Sequence, residues 1–125
     1  MEKIVKIGEK DVRMRASALI PRLYRAKFGR DVVTDMRQLQ KSYSDILKSK
    51  TSKQEKEDAQ FSVLDLTIFE NIAWLMCKQA DPDVPDTPEE WLDGIDGMFS
   101  IYEILPQILD LWAVSQAQTS TPKKK

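Results

Sequence analysis

The sequence predicts a mainly α-helical protein: a compact bundle of about five helices with a short β-hairpin at its N-terminus. Three features carry this prediction. An apolar stretch near the middle has helical spacing, proline and glycine signals divide the chain into further helical segments, and apolar and polar residues alternate near the start. A chain of 125 residues fits one domain, which can bury roughly two-thirds of the surface of its unfolded form.

Residues 61–77 predict the central core helix. At about 100° per residue, apolar side chains cover most of its circumference and leave a narrow polar strip at Thr67, Asn71 and Lys78. A membrane span needs about 20 uninterrupted apolar residues, and Asp65, Glu70 and Asn71 interrupt this run. The helix is therefore expected to lie inside the protein. Its apolar arc comprises Phe61, Leu66, Ile68, Phe69, Ile72, Ala73, Leu75 and Met76.

Residues 3–16 alternate in the manner of a β-hairpin with its turn at 8–11. A two-stranded hairpin is marginally stable alone, so its apolar face must lie on the helices or its edge must be completed by another chain. Arg13 and Arg15 point away from the apolar face. They are therefore candidate residues for self-association.

Two helices are predicted after the hairpin. Ser17 can cap a helix that runs to Phe28 and ends at Gly29, and residues 30–48 repeat apolar side chains at helical spacing. Two helices joined at a glycine invite comparison with a DNA-binding helix-turn-helix, but acids at the start of the second helix would face phosphates. The polar stretch 49–58 is expected to be an exposed linker or frayed helix end.

A local signal predicts the start of a short helix in the second half. Residues 81–87 contain two prolines and three acids, which indicates an extended loop without the glycine and glutamate of a calcium loop. Thr87 and Glu90 then form a capping box around Pro88 at the first helical position. This predicts that Trp91 lies in the first turn of a well-capped helix.

Three apolar residues are candidates for the core or for an interface: Trp91 and Leu92 on the short helix, and Trp112 on the last one. The last helix is predicted from about residue 98 to 115, with Pro106 inside it. Residues 116–125 are polar and end in three lysines, so they are predicted to form a disordered basic tail. The predicted domain is thus a single one, 1–115.

Charge is divided unevenly along the chain. Residues 1–56 contain 15 basic and 7 acidic side chains, whereas residues 57–122 contain one lysine and 13 acids. We call these segments the basic half and the acidic half. Their charges can pair within one molecule, or between copies arranged head to tail.

The chemistry of the side chains predicts no catalytic, cofactor or metal site. The chain has no histidine, its four glycines are scattered, and its one cysteine, Cys77, lies in the core helix, where a buried thiol is inert. Asp65 lies within the core helix and is expected to pair with an arginine of the basic half. Acid catalysis by Asp65 would need a second group and a pocket.

The order of elements resembles that of the tail assembly chaperones of long-tailed phages and prophages of Gram-positive bacteria. The resemblance is carried by the basic hairpin, YRAKFGRDVVTDM at 24–36, the apolar helix, an acidic proline loop leading into PEEWLDGI at 88–95, and the ending TPKKK. It implies a non-enzymatic protein of the bacterial host cytoplasm, absent from the mature virion. It also implies coating of the tape measure protein and recruitment of tail tube subunits, the latter through a longer form made by ribosomal slippage.

Self-association is expected, because the charge is divided and many copies along one extended client bind better than one. No nucleic acid, membrane or cofactor is expected as a partner. Two alternatives stay open: a small regulator that binds nucleic acid, whose affinity would fall steeply with salt, and a structural tail subunit, which would be found in virions. The charged start MEKIVKIGEK is unlike a secretory signal, which favours the cytoplasm.

Overall fold

The structure, a computed structural model, describes residues 2–8, 10–48, 61–95, 97 and 99–120. In these residues an antiparallel two-stranded hairpin precedes five helices, which confirms the predicted fold class. The predicted linker 49–58 lies outside them. The elements are β1 (Glu2–Ile7), β2 (Lys10–Arg15), α1 (Ile20–Phe28), α2 (Val32–Lys48), α3 (Val63–Ala80), α4 (Pro88–Asp93) and α5 (Ile101–Ser120).

Helix α3 is the centre of the fold. Ten of its 18 residues are buried, and β2, α1, α2, α4 and α5 all pack on it. Thr67 is exposed and Asn71 and Lys78 are partly exposed, which confirms the predicted polar strip. Leu66 was predicted to be buried, and this is wrong: it is 37% exposed, because it lies on the same side of the helix as the exposed Val63 and Thr67, which no described element covers.

The hairpin lies with one face on the helices. Val5 pairs with Val12 in the register, and Val5 and Met14 are fully buried, because β2 packs on α3 and β1 packs on α5. Ile7 pairs with Lys10, so the turn is tighter than predicted. Gly8 has a φ of +62°, a conformation that glycine adopts without strain.

Local hydrogen bonds determine the residues at which α1 and α2 begin, and these differ from the predicted ones. Helix α1 begins at Ile20 rather than after Ser17, because the Ser17 hydroxyl accepts from the Leu19 N–H (3.3 Å) and forms a turn before the helix. Helix α2 begins at Val32, and Asp31 caps it by accepting from the N–H and the hydroxyl of Thr34, at 3.2 Å and 2.6 Å. These bonds lower the pKa of Asp31.

A buried carboxylate fixes the junction of α1 and α2. Asp35 is 2% exposed and accepts from the Tyr24 hydroxyl at 2.7 Å and from Arg30 Nε and Nη2 at 2.8 Å and 2.9 Å. Burial and the bond to Asp35 raise the pKa of Tyr24, so its hydroxyl remains a donor. Gly29 ends α1 with a φ of +67°, as expected of a helix C-cap glycine.

The expected pairing of Asp65 with an arginine is wrong. Asp65 is 3% exposed, and its carboxylate accepts from Gln38 Nε2 (3.2 Å) and Ser42 Oγ (2.9 Å) on α2. The rotation of α2 turns an amide and a hydroxyl toward α3, whereas Arg37 is exposed. Neutral donors therefore satisfy this carboxylate.

The last helix extends further than predicted. It begins at Ile101 rather than near residue 98 and continues to Ser120, so residues 116–120 are helical rather than part of a disordered tail. Extending a formed helix adds one hydrogen bond for each residue fixed, whereas starting one is costly. Residues 121–125 of the predicted tail lie outside the described part of the chain.

Within the described ranges, one ion pair joins the basic and acidic halves: Lys3 Nζ lies 3.3 Å from Asp110 Oδ2. The other ion pairs found there connect residues of the same half. Ion pairs inside one molecule therefore leave most of the charge of the described residues unmatched between the halves.

The single cysteine, Cys77, is buried in the core. Burial, with a smaller contribution from the charge of Asp81, raises the pKa of the Cys77 thiol to about 12, so the thiolate is scarce at neutral pH. No helix among the described residues combines the length and the apolar character needed to cross a membrane.

We predict that Asp35→Ala lowers the free energy of unfolding by about 1–3 kcal/mol, because the buried Tyr24 hydroxyl loses its acceptor. Asp45→Ala is the matched control: it removes an exposed carboxylate of the same helix whose contact is a surface ion pair with Lys41, so it should cost less. Urea denaturation at neutral pH measures both variants. Equal losses would contradict the assigned role of Asp35.

Candidate functional site

A cleft of about 560 Å³ opens between the tip of the hairpin and helix α4. Ile7 and Val12 of the hairpin line one side, Trp91 and Ile95 line the other, and Pro85 of the preceding loop also contributes. These side chains give the cleft a mainly apolar surface. Concave apolar sites of this size are typical of places where proteins bind other molecules.

Trp91 connects the cleft to the core. Its ring meets that of Phe99 edge-on at 5.3 Å, and Phe99 stacks on Phe69 of α3 at 4.9 Å. Trp91 is 8% exposed, so most of the ring supports the cleft wall and a small part of it is accessible. The cleft is thereby held on the central helix through three aromatic rings.

Helix α4 starts as the sequence predicts. The Thr87 hydroxyl oxygen accepts from the Glu90 N–H at 3.1 Å, and Pro88 occupies the first turn. The Thr87 hydroxyl also lies 3.3 Å from Glu90 Oε1, so the glutamate interacts with the cap through its side chain. This cap sets the direction in which Trp91 points.

The loop before α4 is tied to α3 by two side chains. Lys78 Nζ donates to the carbonyl oxygens of Pro82 (3.0 Å) and Val84 (2.6 Å) and to Asp86 Oδ1 (2.8 Å). Trp74 Nε1 donates to the Pro85 carbonyl at 2.8 Å. The hydrogen bond from Lys78 and its positive charge lower the pKa of Asp86. The proline side of the cleft is therefore fixed before anything binds.

In the part of the chain that the structure describes, the rim of the cleft carries one charge of each sign. Lys10 lies on the hairpin side and Glu90 on the α4 side, and both are exposed. Gly8 and Gly97 form part of the wall with positive φ values of +62° and +86°. A Cβ at either glycine would meet no atom within 4 Å, so conformation rather than space favours glycine there.

The chemistry of the cleft suits binding of an apolar group. Among the described residues, no group of three or more His, Cys, Asp or Glu side chains could hold a metal ion. Every buried polar side-chain atom described has a hydrogen-bond partner. An apolar side chain entering the cleft would lose water-exposed surface, while Lys10 and Glu90 remain available for polar contacts at the rim.

The predicted candidate residues occupy different parts of the surface. Trp91 lies in the cleft, whereas Leu92 and Trp112 are partly buried and pack against the core without lining it. Arg13 and Arg15 are exposed on the outer face of the hairpin, as expected. Arg13 Nη1 lies 4.0 Å from Glu2 Oε1.

No sequence signal predicted that the hairpin and the end of α4 would meet in a cleft. Val12 and Ile95 are 83 positions apart, and no local pattern brings them together. One signal was available: Ile95 is an apolar residue between two glycines, at a point where the short helix has already ended. An apolar residue in such a position needs a cover or a partner.

A comparison of the sequence with protein-family models found no match, and searches of curated proteins and of solved structures found none either. Similarity therefore assigns neither a family nor an activity. What the protein does has to be inferred from its own residues and their geometry.

We predict that Trp91→Ala lowers the free energy of unfolding by about 3–5 kcal/mol, because it removes a large, nearly buried ring. Thr87→Ala should cost only about 1 kcal/mol, through loss of the cap. Thermal and urea denaturation measure both. An unchanged melting temperature in Trp91→Ala, together with lost assembly or client binding, would make Trp91 an interface residue and contradict its structural role.

Proposed function

We propose that this protein is a non-enzymatic phage tail assembly chaperone. It self-associates, coats the tape measure protein and helps to recruit tail tube subunits through a longer form. The observation that most supports this proposal is the apolar cleft between the hairpin and α4, which is preformed and has Lys10 and Glu90 at its rim. The resemblance in element order supplies the identity of the client.

A chaperone that keeps a long helical client soluble must cover apolar residues on the client's surface. The cleft is large enough for one or a few apolar side chains, and its rigid walls reduce the ordering that binding requires. Lys10 and Glu90 can meet polar residues on either side of the inserted group. Such a contact is not selective for one side chain, which suits a client of varied sequence.

The first turn of α3 offers a second apolar contact. Val63 is 80% exposed, Leu64 49% and Leu66 37%. Two separate apolar surfaces on each copy, and many copies on one client, convert weak individual contacts into strong overall binding. The proposed site of action is the host cytoplasm, and the protein would leave before the virion is complete.

Self-association belongs to the same proposal. The single ion pair between the two halves within the described residues leaves charge available for contacts between copies. Arg13 and Arg15 remain candidate residues for these contacts, since both are exposed. A nucleic-acid-binding regulator would instead show an affinity for DNA or RNA that falls steeply with salt, and a structural subunit would be detected in purified virions.

We predict that Ile95→Ser weakens binding of the tape measure protein by about tenfold, because it removes apolar contact area from the cleft. Ile4→Ser is the matched control, since Ile4 is 61% exposed on the outer face of the hairpin, outside the cleft. Co-expression with the tape measure protein from the same genome, followed by measurement of its soluble fraction, tests both. Equal loss in the two variants, or none in Ile95→Ser with native circular dichroism, would contradict a client-binding cleft.

We also predict that the chain is the short form of two products. Lys123, Lys124 and Lys125 can be encoded by an unbroken run of adenines, on which a ribosome can slip by one base. The nucleotide sequence of the gene and mass spectrometry of the expressed products check this. Lysine codons that break the run, or the lack of an overlapping downstream frame, would leave the three lysines as a solubilising tail.

A further inference from the structure

One side of the first two turns of α3 is exposed and largely apolar. Val63 is 80% exposed, Leu64 49% and Leu66 37%, and Thr67 next to them is exposed as well. Residues three or four positions apart lie on the same side of a helix, so Glu70 belongs to this side too. These five residues are called the open face of α3. Neighbouring large apolar side chains that stay exposed are typical of a surface that binds a partner.

Glu70 places a negative charge at the end of the open face. Its side chain is partly buried, and this burial raises the pKa of its carboxyl. No described lysine or arginine forms an ion pair with it. A carboxylate that has lost part of its water is stabilised by a nearby cation. The open face therefore favours a partner that combines an apolar surface with a positive charge.

The cleft at Trp91 has this combination. It is concave and mainly apolar, with a volume of about 560 Å³. Lys10 is exposed at its rim and forms no ion pair with a described acid. The cleft and the open face are therefore complementary in shape, since one is concave and the other convex. They are also complementary in charge, since Lys10 and Glu70 have opposite signs.

The two surfaces do not meet within one molecule. The exposed side chains of the open face do not line the cleft. Lys78 Nζ donates to the Val84 carbonyl at 2.6 Å, and Trp74 Nε1 donates to the Pro85 carbonyl at 2.8 Å. These bonds fix the loop side of the cleft relative to α3, so the cleft cannot move onto the open face of the same helix. Contact between the two surfaces therefore needs a second copy.

We infer that the cleft of one copy binds the open face of α3 of a second copy, with Val63 and Leu66 of the second copy in the cleft and Glu70 beside Lys10 of the first. The inference rests on the self-association in the proposed function and names its surfaces. Because the two surfaces differ, a pair of copies still has one unoccupied cleft and one unoccupied open face, and further copies can be added.

This contact is small. A few apolar side chains and one ion pair bury much less than the about 1,200–2,000 Å² of a stable protein interface. We therefore expect association at high protein concentration and low salt. Both surfaces are also proposed contacts for the client, so a client and a second copy would compete for them. A weak contact between copies allows this exchange.

The first test reverses each charge separately. Lys10→Glu and Glu70→Lys each bring like charges together and should weaken self-association by about tenfold at low salt. Sedimentation velocity measures this against the monomer mass of 14.4 kDa. In an equal mixture, every altered cleft can meet an altered open face of opposite charge, and every native cleft a native face, so assembly should return. Arg37→Glu and Glu103→Lys are the controls, because they make the same changes in net charge at exposed positions outside both surfaces.

The second test concerns the apolar part of the contact. Val63→Asp should keep the fold, because the position is 80% exposed and a carboxylate is favourable in the first turn of a helix. It should weaken self-association by about 100-fold, because a charge would have to enter the apolar cleft. Val114→Asp is the matched control, at a 45% exposed position of α5 outside both surfaces.

Tryptophan locates the contact. Of the three tryptophans, Trp91 lines the cleft. In wild-type protein labelled with 5-fluorotryptophan, its fluorine resonance, assigned with Trp91→Phe, should shift as the protein concentration rises. In labelled Val63→Asp it should not shift. Circular dichroism verifies the fold of each variant. If Glu70→Lys does not fold, Glu70→Gln, which removes the charge without reversing it, should still weaken assembly.

Several results would overturn the inference. They are unchanged assembly in Lys10→Glu, Glu70→Lys or Val63→Asp, no recovery in the mixture, an equal loss in the controls, and a constant Trp91 resonance in a wild-type protein that assembles. A wild-type protein that stays monomeric at high concentration and low salt would overturn it and would also remove self-association from the proposed function. Client solubilisation by the wild type is measured separately, and its failure would contradict the client-binding part of that function alone.

Discussion

The apolar surface of α3 has to be removed from water on almost every side, and the arrangement of the other elements follows from this requirement. Ten of its 18 residues are buried. No single helix can cover such a surface, because one neighbour covers only one stripe. The hairpin and the four other helices therefore surround α3, and each contributes one part of the cover. On the side of the first turn that no described element covers, Val63 remains 80% exposed.

Apolar burial brings these elements together, and a few polar contacts determine how they are rotated. Asp35 joins α1 to α2 through Tyr24, and Asp65 joins α3 to α2 through Ser42. Lys78 holds the acidic loop that leads to α4. Because a buried polar group without a partner is costly, each of these bonds excludes rotations that apolar contact alone would permit.

The same arrangement leaves three surfaces available on the outside of the protein. The cleft at Trp91, the first turn of α3 and the shallow groove that Leu23 and Trp74 line between α1 and α3 are all partly apolar, and two of them have charged side chains in their lining. A protein that works by contact needs surfaces of this kind, held on a rigid scaffold.

The sequence by itself determined the elements whose signals are local. Gly29 ends α1 through its own backbone conformation, and Thr87 with Pro88 starts α4 through a cap that involves only adjacent residues. The alternation of the hairpin and the apolar arc of α3 likewise depend on spacing along one segment. The charge division between the halves was also visible in the sequence.

Only the tertiary structure decided which residues meet across the fold. The rotation of α2 gave Asp65 an amide and a hydroxyl instead of an arginine, and no pattern within either helix encodes that rotation. The cleft combines residues from the hairpin with residues near position 95, so it exists only after both have packed around α3. Spacing along the chain sets which face of an element is apolar, whereas the partners of that face depend on how all the elements share the burial of one helix.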